Sequence, residues 1–148
     1  MAKYFTLKEF VYSKTAKDEH IDNTPPQEIV DHIEEFMTVL DELRDAWGSP
    51  IIVSSGYRCP KLNKAVGGAS NSSHQYGWAG DLYPKNGYID MFFNFCREFF
   101  KNRPFDQLID EYKGDSHWTH LGYKHKDGCQ RRLVMKYKNG NYTYLKDE

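Results

Sequence analysis

Residues 55–84 read SGYRCPKLNKAVGGASNSSHQYGWAGDLYP, a run in which turn formers crowd around an arginine, a histidine and an aspartate. Glycine tolerates positive φ, and short polar side chains bond back to their own backbone, so such a run predicts tight turns. The β-branched Ile51, Ile52 and Val53 just before it predict a strand that delivers the chain into this loop. Inside the loop, Pro60 to Val66 predict one or two helical turns ended by Gly67 and Gly68. Gly77 and Ala79 clear space where the chain passes from loop into a second strand, Ala79 to Tyr83.

Upstream, Thr24-Pro25-Pro26-Gln27 reads as a capping box, with Thr24 as N-cap, the prolines in the first turn and Gln27 reaching back. The helix that follows places Ile29, Ile33, Phe36, Met37, Leu40, Leu43 and Trp47 at steps of three and four. Its acidic residues Asp31, Glu34, Glu35, Asp41 and Glu42 fill the solvated face, and Gly48-Ser49-Pro50 stops it. Downstream, Ile89, Phe92, Phe93, Cys96, Phe99 and Phe100 predict a second amphipathic helix closed before Pro104. FDQLIDEY (105–112), HWTHLGY (117–123), RRLVMKY (131–137) and NYTYL (141–145) predict strands, the last two joined by a turn at Asn139-Gly140. The expectation is an α+β fold, a small antiparallel sheet with helices against one side.

The length of 148 residues fits one domain, residues 1–148. With 39% hydrophobic and 16% aromatic residues the chain can fill a core. A formal net charge of −1 and scattered basic residues argue against a nucleic-acid partner. No apolar run suits a membrane span, and the charged start MAKYFTLKEF lacks a secretory leader, so synthesis in the cytoplasm is expected. Cys59, Cys96 and Cys129 are odd in number and far apart, which signals neither a disulfide framework nor a CxxC zinc site.

A catalytic zinc ion takes three protein ligands from histidine and carboxylate and keeps a fourth position open. His74 comes from the loop, Asp81 from the strand after it, and His120 from the later strand HWTHLGY. If those strands pair, Asp81 and His120 can face one side with His74 swinging in. In an extended HWTHLGY, His117 and Thr119 point one way while Trp118 and His120 point the other, so His117 and His120 should not share a metal. His20, His32 and His125 carry no such pattern. Tyr57, Tyr76 and Trp78 offer aromatic surface either for a peptide cleft or for ordinary packing.

Ser-Gly-Tyr-Arg at 55–58, then Leu62-Asn63, Ala65 to Gly68, the S-x-H-x-x-G-x-A-x-D pattern from Ser72 to Asp81, and Trp118-Thr119-His120 together resemble the zinc D-alanyl-D-alanine carboxypeptidase family. The likeness is greatest to its compact peptidoglycan peptidases of phages and bacteria, with a hedgehog/DD-peptidase-like fold. It runs from Tyr4-Phe5-Thr6 through Asn23 to Pro26 and on to about Tyr123.

The resemblance implies one Zn2+ held by His74, Asp81 and His120, with Arg58 gripping a substrate carboxylate or the developing oxyanion. Zinc lowers the pKa of its water from about 15.7 to about 7 and polarises the scissile carbonyl. Many relatives place a glutamate three residues before the second histidine, where His117 stands here. Others carry one in a segment like FDQLIxE, which points to Glu111. Glu111 shares an alternating face with Phe105, Gln107 and Ile109, and the general base is either Glu111 or His117, with Asp110 and Asp115 behind them. The implied function is cleavage of an amide bond in peptidoglycan stem peptides, endolysin-like or carboxypeptidase-like, acting on the cell wall after release in phage or prophage lysis. The alternative is a zinc-binding or virion-associated module of the same fold without turnover.

Overall fold

The computed structural model describes residues 2–145; Met1 and residues 146–148, the ends of the expected domain, lie outside the described residues. Two five-residue helices open the chain, α1 (Leu7–Val11) and α2 (Lys14–Asp18). Each is started by a hydroxyl cap: Thr6 Oγ1 accepts from Glu9 N at 3.1 Å, and Ser13 Oγ accepts from Ala16 N at 3.2 Å. The long helix α3 (Gln27–Trp47) follows. Its entry departs from the expected capping box: Pro26 is the N-cap and makes no side-chain cap bond, while Gln27 reaches forward to Asp31 at 2.9 Å. The helix does not depend on that cap, because Ile33, Phe36, Leu40 and Leu43 on its apolar stripe are fully buried.

Then come β1 (Ile51–Ser55), α4 (Pro60–Ala65), a 3-10 turn (Ser73–Tyr76), β2 (Ala79–Pro84), α5 (Ile89–Phe99), β3 (Gln107–Lys113), β4 (Ser116–Gly122), β5 (Leu133–Lys138) and β6 (Asn141–Tyr144). The strands form one sheet in the order β1-β2-β4-β3-β5-β6. The fold is α+β, with helices α3 and α5 against one sheet face. One pairing corrects the all-antiparallel expectation: β3 and β5 run parallel, with Ile109 opposite Met135. The crossover into β5 is fixed by Asp106, fully buried, which accepts from Arg131 N at 3.0 Å, Nε at 2.8 Å and Nη2 at 2.9 Å. That bidentate, charge-assisted grip sets where β5 starts.

Register assigns the two faces. Val53 lies opposite Leu82, Leu108 opposite both Leu121 and Val134, and these apolar side chains meet Phe36, Phe92, Phe93 and Phe100 from the helices. Asp81, His120, Ile109 and Met135 are likewise paired in sequence across β2, β4, β3 and β5, on the opposite face. Phe105 precedes β3 and is buried against Phe100, so it does not share the Glu111 face as expected. Among the described residues, no helix is long and apolar enough to cross a membrane.

Candidate metal centre

The loop from Gly56 to Trp78 packs against α1 and α3 and brings His74 beside Asp81 of β2. Gly56 is required by close approach: a Cβ there would stand 2.4 Å from Phe10 O, whose carbonyl accepts from Tyr57 N at 2.8 Å. Arg58 N donates to His74 O at 3.1 Å, and Ser72 Oγ accepts from His74 N at 3.2 Å, so both backbone groups of His74 are held. Gly77 closes the 3-10 turn at φ +75°, and a Cβ there would meet Ile33 at 2.8 Å. The loop's glycines therefore let it sit tightly on α1 and α3 and present one imidazole to the sheet.

His74 Nδ1 lies 2.7 Å from Gly56 O, which assigns the proton to Nδ1 and leaves Nε2 with a free lone pair. That Nε2 is buried without a hydrogen-bond partner, 3.3 Å from Asp81 Oδ1. His120 Nε2 lies 3.3 Å from Gln107 Oε1, which turns His120 Nδ1 toward Asp81 Oδ1 at 3.0 Å. Ligand atoms of His74, Asp81 and His120 all lie within 4.8 Å of one another. Donors about 2.0–2.1 Å from a tetrahedral ion are separated by about 3.3 Å, so these spacings fit one zinc ion. An otherwise orphaned ring nitrogen, an N/O/N donor set and ring N–H groups fixed by Gly56 and Gln107 are the features such a site needs.

Burial pushes the His74 pKa down and keeps the ring neutral. Burial would raise the Asp81 carboxyl, but the imidazoles of His74 and His120 outweigh it and hold it well below the usual carboxylate range. Burial also disfavours the His120 cation, yet the hydrogen bond it gives Asp81 and the charge of Glu111 leave its pKa raised.

Glu111 stands beside this trio, Oε1 3.7 Å from His120 Nδ1 and accepting from Trp118 Nε1 at 2.9 Å. Burial, reinforced by the nearby Asp81, raises its pKa against the pull of His120. Arg58 lines the same cleft; burial lowers its pKa while Asp81 and Glu111 favour its charge, and its Nε is buried without a partner. Gly68 makes room for it, since a Cβ there would stand 2.9 Å from Arg58 Nη1.

The structure does not bring His117 to the centre. It lies on the other face of β4, with Nε2 2.5 Å from Asp110 Oδ1 and its ring stacked on Tyr112 at 3.8 Å. Asp115 is exposed in the β3–β4 turn. Tyr57 and Trp78 are buried in the core, Trp78 stacked on His32, and Tyr76 packs against that core, so these aromatics are packing residues. Cys59 caps α4, Cys96 is buried with its thiol pKa pushed up by burial, and Cys129 is exposed.

Asn23 and Gln107 have site roles that the residue pattern did not reveal. Asn23 Nδ2 donates to Val11 O and Tyr57 O, and its Oδ1 accepts from Cys59 N, so one side chain bolts the Arg58 loop to the N-terminal segment. The signal available was an asparagine two residues before the pair Pro25-Pro26. The cleft encloses about 560 Å³, and residues of β5 and β6 form its far wall. There, burial and the charge of Glu111 push the Tyr142 hydroxyl pKa up, keeping it a neutral donor.

Residues 3–122 match the family described as peptidase M15. The zinc D-Ala-D-Ala carboxypeptidase of Streptomyces albus G is 37% identical over 87 residues, 57% of this chain and 32% of that protein. The match thus spans about a third of that relative's length.

Proposed function

The chain belongs to the peptidase M15 family, and from that premise we propose that it is a zinc metallopeptidase hydrolysing an amide bond in the stem peptides of bacterial peptidoglycan. The observation that carries this reading is the meeting of His74 Nε2, Asp81 Oδ1 and His120 Nδ1 within 4.8 Å, with Glu111 against them. The name of the Streptomyces relative, a zinc D-Ala-D-Ala carboxypeptidase, supports the metal and the substrate class.

Zinc, when bound by His74, Asp81 and His120, supplies Lewis-acid polarisation of the scissile carbonyl and acidifies water. The chain's own residues do the rest. Glu111, whose Oε1 accepts from Trp118, takes the proton of the attacking water and returns it to the leaving amine. Its raised pKa suits both halves of that exchange. Arg58 meets the negative charge of a substrate carboxylate or the developing oxyanion from a partly dehydrated position, where a charge-assisted bond is strongest. Gly56 O and Gln107 hold the two imidazoles in the ligating tautomers. Action on the wall after release, in phage or prophage lysis, extends this reading and rests on the sequence resemblance.

The test is incubation of the zinc-loaded protein with purified muropeptides and mass analysis of the fragments. Cleavage is expected, and Glu111→Gln should keep one zinc per chain while losing about 10²- to 10⁴-fold in rate. Intact muropeptides at full zinc occupancy reject the peptidase, and an unchanged rate in Glu111→Gln removes that residue as the base.

A further inference from the structure

The family match ends at Gly122, yet the sheet continues through β5 and β6 and forms the far wall of the cleft. Register places this wall in line with the metal ligands. His120 is opposite Ile109, Ile109 opposite Met135, and Met135 opposite Tyr144. A parallel row runs from Trp118 through Glu111 and Tyr137 to Tyr142. Facing side chains on paired strands share one side of a sheet, and all of these line the cleft.

Three strand spacings of about 4.8 Å separate His120 from Tyr144, about 14 Å in all, which is the length of about four residues of extended peptide. The row changes character along its length, from metal ligand through Ile109 and Met135 to tyrosine. Tyr142 and Tyr144 are 58% and 68% exposed although they stand at the end of a continuous floor, and the Tyr137 ring packs against Tyr142 at 4.7 Å between centroids, tilted by 50°. Such an aromatic platform holds ligand at small entropic cost. Lys113, at the end of β3 and also lining the cleft, makes no ion pair among the described residues.

We propose that the floor of Ile109, Met135, Tyr137, Tyr142 and Tyr144 is an extended subsite for an acidic peptide. It engages about four residues to one side of the cleaved bond, with the tyrosines at its distal end and Lys113 meeting a carboxylate. This rests on the peptidase reading and deepens it: the substrate is a whole stem peptide, and a free dipeptide fills only the metal end. The tyrosines select length and contribute nothing to bond cleavage.

The test compares the peptidoglycan stem pentapeptide with the D-Ala-D-Ala dipeptide, using wild type, the double variant Tyr142→Ala/Tyr144→Ala, and Tyr142→Phe/Tyr144→Phe. Isothermal titration is run on each of these in the zinc-loaded Glu111→Gln background, so binding is read with the metal end intact and turnover suppressed. The Ala pair should weaken pentapeptide binding about tenfold, leave the dipeptide within twofold, and be rescued by the Phe pair. Because both tyrosines are exposed, folding is not at stake, and a melting curve checks it. With zinc, KM for the pentapeptide should rise about tenfold in the Ala pair with kcat unchanged. Pentapeptide binding equal in wild type and the Ala pair, no detectable binding by wild type, or equal losses for both peptides overturns the subsite. Binding as expected without hydrolysis removes the peptidase reading and leaves the subsite standing.

Discussion

Replacing Asn23 should damage the candidate site from outside it. The side chain is 7% exposed and makes three hydrogen bonds, donating to Val11 O at 2.8 Å and Tyr57 O at 3.0 Å and accepting from Cys59 N at 2.8 Å. Two of these partners flank Arg58. Asn23→Ala leaves three backbone groups unpaired at about 1 kcal/mol each, a loss of about 3 kcal/mol. For a chain of this length that is about 6–12 °C in Tm. Asn23→Asp is the sharper variant, because a carboxylate can still accept from Cys59 N but turns lone pairs on two carbonyl oxygens. It should cost more than alanine at pH 7. Burial and those carbonyls raise the folded pKa of the new acid above its unfolded value of about 3.9, so the fold takes up a proton as pH falls. The deficit relative to wild type is then full above the raised folded pKa and shrinks as pH falls toward about 3.9. Urea denaturation followed by circular dichroism at pH 7 and pH 5 reads both effects. Asn23→Asp as stable as wild type at pH 7, or a deficit that grows on acidification, would refute the bolt.

His117→Ala should leave kcat/KM within twofold while lowering stability by about 1 kcal/mol, since it removes the contact to Asp110 and the stack on Tyr112 on the opposite face. A hundredfold loss of activity at full zinc content would overturn that placement. Stability should also follow free zinc: at a hundredfold excess over Kd, binding to the fold alone adds about 2.7 kcal/mol. That is about 5–11 °C in Tm, reversed by chelator and absent in His120→Ala. A Tm indifferent to zinc in wild type refutes the centre.

Side-chain alternation made much of the site legible. HWTHLGY as a strand separates His120 from His117, and FDQLIDEY as a strand groups Glu111 with Gln107 and Ile109, because period two is a property of any extended chain. Phe105 broke that grouping since it lies two residues before the strand begins, where alternation no longer holds. The parallel placement of β5 was hidden for another reason: it depends on Asp106 gripping Arg131 across 25 residues, and neither residue stands out locally. For Tyr57 and Trp78 the sequence left cleft and packing both open, because composition cannot tell a cleft aromatic from a core one, and burial decides for packing. The short helices α1 and α2 are five residues each, too brief for a periodic signal, and only Thr6 and Ser13 announce them.

The sheet explains why Asp81 and His120 stand side by side. In β4, His120 and Leu121 are neighbours on opposite faces, and β2 repeats this with Asp81 and Leu82. A one-residue slip of either strand would carry a buried leucine out of the core and an acid or imidazole into it. Leu82, Leu108 and Leu121 are each fully buried, worth about 2 kcal/mol apiece against exposure. Core packing thus penalises the wrong register heavily, and the right one sets Asp81 beside His120. The loop needs only to add His74, and it does so through Gly56 O and Ser72. Ligand geometry is therefore stabilised by apolar burial on the far side of the same strands.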